Sequence, residues 1–296
     1  MGALALGILA ALCWGVHDLC VRRVSRRAPI ATCLLIVLVV GALAQLPLLA
    51  LPGGGTGEGA GADTTEATAA GITLAPRSLV ALLATGGAFA TASYALYRAF
   101  AVGPVRLVAP LVGAYPVATS ALAAFGGASF GAGHWTAVLA VVAGIALVAA
   151  GTDGPRRYPL APTFGWSLLS ALAFATTFSI GQALAARLDP AAVSLGTRLA
   201  ACLALGLGIV VTRTWRLPER ADWPVLALMG LLDAVALGAV LLAGRQPDAV
   251  LASVTASLFG VVTIVLARVF LAEAMNARQW LGVGVAFAAI GWLSAG

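Results

Sequence analysis

Ten stretches of about twenty apolar residues occupy nearly all of the 296 positions, and this run-after-run pattern restricts the chain to very few architectures. The hydrocarbon core of a bilayer is about 30 Å thick and a helix rises about 1.5 Å per residue, so each stretch matches one crossing. Within lipid every backbone N–H and C=O must be bonded inside the protein, which leaves helices or closed barrels. The stretches do not alternate polar and apolar residues as barrel strands do, so the expected fold is an all-α polytopic membrane protein. Only 9% of residues are charged, 61% are hydrophobic and the mean hydropathy is +1.02, far from a soluble domain.

The expected spans are Ala3–Val21, Pro29–Leu51, Ser78–Phe100, Val105–Phe125, Gly133–Ala150, Thr163–Ala186, Ala191–Thr212, Trp223–Leu242, Ala249–Leu271 and Trp280–Leu293. Tight links such as Gly103-Pro104 and Leu188-Asp189-Pro190 stop one helix and start the next, because proline disfavours a helical residue before it. Short links imply antiparallel neighbours. The connection from Pro52 to Pro76 is different, rich in Gly, Ala and Thr with only Glu58, Asp63 and Glu66 charged. It reads as a flexible loop, either a lid or a segment that is merely tolerated.

The net charge of +6 comes from 17 arginines without a lysine. Thirteen of those 17 lie on odd-numbered connections or their flanks, Arg22, Arg23, Arg156 and Arg157 among them. Even-numbered connections carry Arg77, Arg187 and Arg245, and Arg198 falls within a span. Scattered in this way, the arginines fix topology rather than a nucleic-acid surface. The positive-inside rule then places the odd connections in the cytoplasm and both termini outside. Cys13, Cys20, Cys33 and Cys202 all sit in apolar runs without metal-ligand spacing, so neither a metal nor a cofactor is expected. The first apolar run has no positive region before it and nine spans after it, which marks a retained helix rather than a cleaved leader.

The two halves of the chain, 1–151 and 152–296, resemble each other. His134–Gly151 aligns without gaps on Gln279–Gly296 through Trp135/Trp280, Val138/Val283, Ile145/Ile290 and Gly151/Gly296, and Pro104 and Pro247 open the preceding spans. Five spans per half force the halves into opposite orientations. The expected arrangement is therefore ten transmembrane helices in two inverted five-helix repeats, a transporter pattern in which the halves exchange conformations around a midplane site.

Several short motifs point to one family. Ala11-Leu12-Cys13-Trp14-Gly15, with Arg22 seven residues after Gly15, resembles the first helix of the EamA family in the drug/metabolite transporter (DMT) superfamily. Tyr94–Pro116 resembles its third and fourth helices, and Leu271-Ala272-Glu273 followed by Gln279-Trp280-Leu281-Gly282 its last-turn glutamate and closing helix. The chain departs from the pattern at Ser129, Gly260, His17 and Asp18. Family members are often drawn with cytoplasmic termini, opposite to the arginine distribution. The resemblance implies a carrier of the bacterial inner (plasma) membrane that exports small organic metabolites, amino acids or related compounds foremost, as a monomer or homodimer.

Polar groups inside the spans are the candidates for that activity, because a charge at mid-bilayer costs about 2.5–3.5 kcal/mol on insertion scales. Asp233 reads either as a proton- or cation-binding carboxylate or as the structural partner of Arg198, which stands at a similar depth. Asp18 precedes Arg22 by four residues and can form an intrahelical ion pair or relay a proton, with His17 on another face as a second titratable group. Tyr94, Tyr97 and Arg98 form one sector that suits a substrate carboxylate or phosphate, or else anchors a helix end at the interface. Trp14, Tyr115 and Gln182 complete the substrate-binding candidates, with Ser179 and Gln182 alternatively joining helices. Pro110 and Pro116 should break the fourth span. The expected function is secondary transport by alternating access, with or without proton coupling. The alternative is a translocator of lipid-linked sugars or phospholipids; a passive channel and an intramembrane enzyme fit less well, since HExxH is absent and His17 and His134 are the only histidines.

Overall fold

A computed structural model describes residues 2–49, 76–127, 129–150, 158–185, 187–243 and 255–295. The loop from Pro52 and the start of the ninth span lie outside these. The described residues are helical, without strands: α1 (Ala3–Val24), α2 (Ile30–Leu49), α3 (Pro76–Val102), α4 (Val105–Gly113), α5 (Tyr115–Phe125), α6 (Ala132–Ala150), α7 (Leu160–Ala185), α8 (Pro190–Thr212), α9 (Trp223–Ala243), α10 (Phe259–Leu271) and α11 (Ala277–Ala295). Among the described residues eight helices, counting Val105–Phe125 as one, are long and apolar enough to cross a membrane, and α10 is a shorter apolar helix.

Local chemistry sets the helix ends. Asp189 caps α8 by accepting the Ala192 N–H at 2.8 Å, and Pro190 follows in the first turn, where its missing N–H is not needed. The break between α4 and α5 falls at Ala114, between Pro110 and Pro116. Pro116 has no N–H to offer the preceding turn, so the ladder cannot run through. Gly103 closes the turn after α3, where a Cβ would stand 2.2 Å from Thr163 Cγ2.

Leu203, Leu207, Val210 and Val211 on α8 are exposed, as lipid contact demands, while Thr85, Ser167, Ser170 and Thr163 are buried. Buried polar groups bond across helices: Ser170 donates to Ala92 O at 2.9 Å and Gln279 to Val148 O at 3.3 Å. Helix α1 packs on α9 and α10, and α7 on α3 and on α4 with α5. In turn α2 packs on α9, α3 on α8, α2 on α8, and α6 on α11. The α6–α11 crossing brings two backbones close together, since a Cβ on Gly144 would meet Gly282 O at 2.6 Å and one on Gly282 would meet Gly144 O at 2.6 Å.

Candidate functional site

Asp233 lies at the midpoint of α9, and Trp14 halfway along α1 faces it. Trp14 Nε1 donates to Asp233 Oδ1 at 2.9 Å, and Arg198 Nη2 of α8 stands 2.6 Å from Asp233 Oδ2. The structural partnership of Asp233 with Arg198 is therefore formed. The arginine side chain is 3% exposed and the aspartate 17%, so the carboxylate is the more accessible member. Arg198 Nε and Nη1 are buried without a hydrogen-bond partner among the described residues. Gly41 of α2 makes room for this head group, since a Cβ there would stand 2.9 Å from Nη1.

Aromatic rings continue from this pair. The Arg198 guanidinium lies 5.9 Å from the Phe89 ring centre, Phe89 contacts Phe174, Phe174 stacks on Phe178, and Phe178 packs 4.8 Å from Tyr115 beside the α4–α5 break. On the other side Trp14 meets Phe259 edge-on at 6.1 Å. Trp14, Phe89, Phe174 and Tyr115 are all half-buried. A charged pair bounded by aromatic faces can hold the polar head of an amphiphile and cover its apolar part.

One turn beyond Trp14, His17 Nδ1 lies 3.3 Å from Asp18 Oδ1, and both groups interact electrostatically with Asp233. The expected Asp18–Arg22 pair gives way to a different arrangement. Arg22 Nη2 lies 3.6 Å from Glu273 Oε1 and its Nη1 donates to Phe100 O, while Asp18 takes its own neighbour His17. Spacing of four residues brings two side chains onto one face but does not decide between them and a carboxylate arriving from another helix. Glu273 also receives the Val105 N–H at 3.2 Å and the Arg106 N–H at 3.4 Å, so it caps α4 from the far end of the sequence.

The remaining candidates separate. Tyr94 and Arg98 share the arginine-bearing end of α3, where both pack on Trp166. Tyr97 is buried in the apolar core, with its hydroxyl unpartnered among the described residues. Gln182 is exposed on α7, and Gln45 and Ser194, 3.3 Å apart, make a polar contact between α2 and α8. Among the described residues no three His, Cys, Asp or Glu side chains gather as metal ligands would.

The profile of the EamA-like transporter family matches residues 1–150 and 162–295. The chain belongs to the EamA-like transporter family. A comparison with curated proteins gives no match. A crystal structure of a protein, 16% identical, superimposes with a TM-score of 0.61 over 97% of this chain and 94% of the other, which supports the fold of this EamA-like chain and nothing finer. The Glu273 position, which resembled the family's last-turn glutamate, thus has a physical role as a helix cap and arginine partner.

Proposed function

We propose that this chain is a secondary transporter of the inner membrane that moves a small amphiphilic metabolite, an amino acid or related compound, outward by alternating access. The observation that carries this reading is the largely buried Asp233–Arg198 pair midway along α9, with its carboxylate the more accessible member and aromatic rings on both sides. An ammonium group fits the carboxylate, a carboxylate fits the unused arginine donors, and the rings suit the apolar remainder.

Inverted repeats are part of the proposal. Moving five spans along exchanges the α1–α9 contact for α7–α3, α1–α10 for α7–α4 and α5, and α2–α9 for α8–α3, while α2–α8 and α6–α11 map onto themselves. That exchange is what two oppositely oriented copies produce.

Proton coupling, where it operates, belongs to His17 and Asp18 rather than Asp233, whose charge Arg198 already balances. With His17 uncharged, Asp18, Asp233 and Arg198 leave one net negative charge, and one proton on the His17–Asp18 pair cancels it. Tyr97 and Cys20 are the other titratable neighbours of Asp18, and Arg22 is engaged by Glu273. Counterflow of labelled amino acids in proteoliposomes tests the reading. Saturable exchange that is lost in Asp233→Asn, and exchange that persists in Asp18→Asn without responding to a pH gradient, are expected. Absence of saturable exchange for every amino acid and amine tried refutes the substrate class.

A further inference from the structure

A polar cavity lies at the arginine-bearing end of the bundle, among the start of α2, the end of α3 and the segment that follows α8. It encloses about 470 Å³, and its polar lining is Ser25, Tyr94, Arg98, Arg213, Thr214 and Arg216. Three arginines line it, and among the described residues no carboxylate does. Asp222 is already engaged by Arg27. Fixed positive charge without a counter-charge draws an oxyanion, and the planar fork of arginine matches two of its oxygens at once.

Two further observations point to a ligand. Ser25 Oγ, on a residue 6% exposed, and Arg98 Nε are both buried without a partner among the described residues, and both residues line the cavity. The Arg98 guanidinium is set in place by Trp166, whose ring centre is 5.3 Å away. Arg213, moreover, occupies the left-handed backbone region at φ 52° as the cap of α8. Glycine takes that conformation without the Cβ clash that an L-residue meets. An arginine held where glycine is the easier choice directs attention to its side chain, which reaches the cavity.

We infer that this vestibule binds the oxyanion of a phosphate- or carboxylate-bearing ligand, either a soluble metabolite or the head group of an anionic lipid. The site is separate from the Asp233–Arg198 pair, so it stands or falls independently of the transport reading. A volume of a few hundred Å³ suits a head group or a small metabolite equally. Anionic lipids also concentrate where arginines gather beside a membrane.

The full chain in neutral detergent, titrated with inorganic phosphate and separately with short-chain phosphatidylglycerol at fixed ionic strength, provides the test, with chloride and phosphatidylcholine as matched controls. A ligand that prefers the folded state raises the melting temperature in a saturable way. The expected result is a saturable rise with at least one anion, weakened at least tenfold in Arg98→Gln and Arg213→Gly. Arg213→Gly separates binding from folding, because it relaxes the backbone while deleting the charge. Its melting temperature without anion should equal or exceed that of the parent even as affinity falls. Arg216→Gln, a change at an exposed position, gives the same weakening if Arg213→Gly does not yield protein. A response to phosphate identifies a soluble ligand, and a response to phosphatidylglycerol alone identifies a lipid head group. No saturable response beyond the controls, or full affinity in the arginine variants, overturns the inference.

Discussion

Removing one partner of the Arg198–Asp233 pair should damage the protein far more than removing both. In Asp233→Asn the amide still accepts the Trp14 N–H, but the guanidinium, 3% exposed and already short of partners at Nε and Nη1, loses its counter-charge. In Arg198→Gln the carboxylate keeps only Trp14. A buried charge stripped of its partner costs about 3–5 kcal/mol, whereas replacing a buried pair with apolar residues of similar volume is near neutral or stabilising. The double variant Arg198→Met/Asp233→Leu should therefore unfold within about 1 kcal/mol of the parent, while Arg198→Met and Asp233→Leu alone each lose about 3–5 kcal/mol, giving a coupling of at least about 5 kcal/mol. Unfolding by SDS titration in mixed micelles, followed by far-ultraviolet circular dichroism, measures all four corners of the cycle. The double variant should nevertheless transport nothing, which divides stability from activity. Single-variant losses below about 1 kcal/mol, or losses that simply add, would refute the view that the two groups are one buried electrostatic unit.

Three shorter tests follow. Gly144→Ala places a Cβ 2.6 Å from Gly282 O at the α6–α11 crossing, so the backbones must separate; a loss of about 1–3 kcal/mol is expected in the same assay. Gly87→Ala, with nothing within 4 Å of its Cβ, is the control and should be neutral or slightly stabilising. Glu273→Gln keeps an acceptor for the α4 N–H groups but loses the charge that faces Arg22, and should lower stability by about 1–3 kcal/mol. Arg216→Cys, in a chain whose own cysteines are buried or half-buried, should react with a membrane-impermeant maleimide only from the cytoplasmic side; reaction from the outside reverses the proposed orientation.

The helices were readable because the bilayer imposes length and polarity on every segment, and the breaks because proline and the Asp189 cap act locally. Asp233 and Arg198 were readable as a possible pair because a charge at mid-bilayer demands a partner and few exist. What sequence could not supply was the choice among partners distant along the chain. Asp18 had a competent arginine four residues away, yet that arginine is drawn to Glu273, 251 positions later, by a carboxylate that also caps α4. The motif around Glu273 drew attention to the position but said nothing of Arg22 or of the Val105 N–H. Phe89 and Phe174 carry no mark of the site in the sequence for a related reason, since an aromatic residue in an apolar run gives no signal of which neighbour it will face.

The polar contacts are distributed in a way that bears on conformational change. Trp14–Asp233, Arg22–Glu273, Arg27–Asp222 and Gln45–Ser194 each join a residue of the first half to one of the second, while Arg198–Asp233 lies wholly within the second. If the halves exchange conformations, the pair inside one half can travel intact, but the contacts between halves must be broken or traded. Arg22–Glu273 and Arg27–Asp222 both sit at the arginine-bearing end, where α1 and the turn after it meet the second half. They join the two halves at that end, and the exposed side of Arg27 makes its pair cheap to open. The Glu273 contact is the more consequential of the two, because a single carboxylate holds Arg22 and the start of α4 together, so its release would free the broken fourth span and α1 in one step. Glu273→Gln should on this argument shift the resting population toward opening at the arginine-bearing end, and a rise in the labelling rate of Cys20 or Cys33 by a small maleimide would register it. An unchanged rate alongside the lower stability would mean that Glu273 supports the fold without gating it.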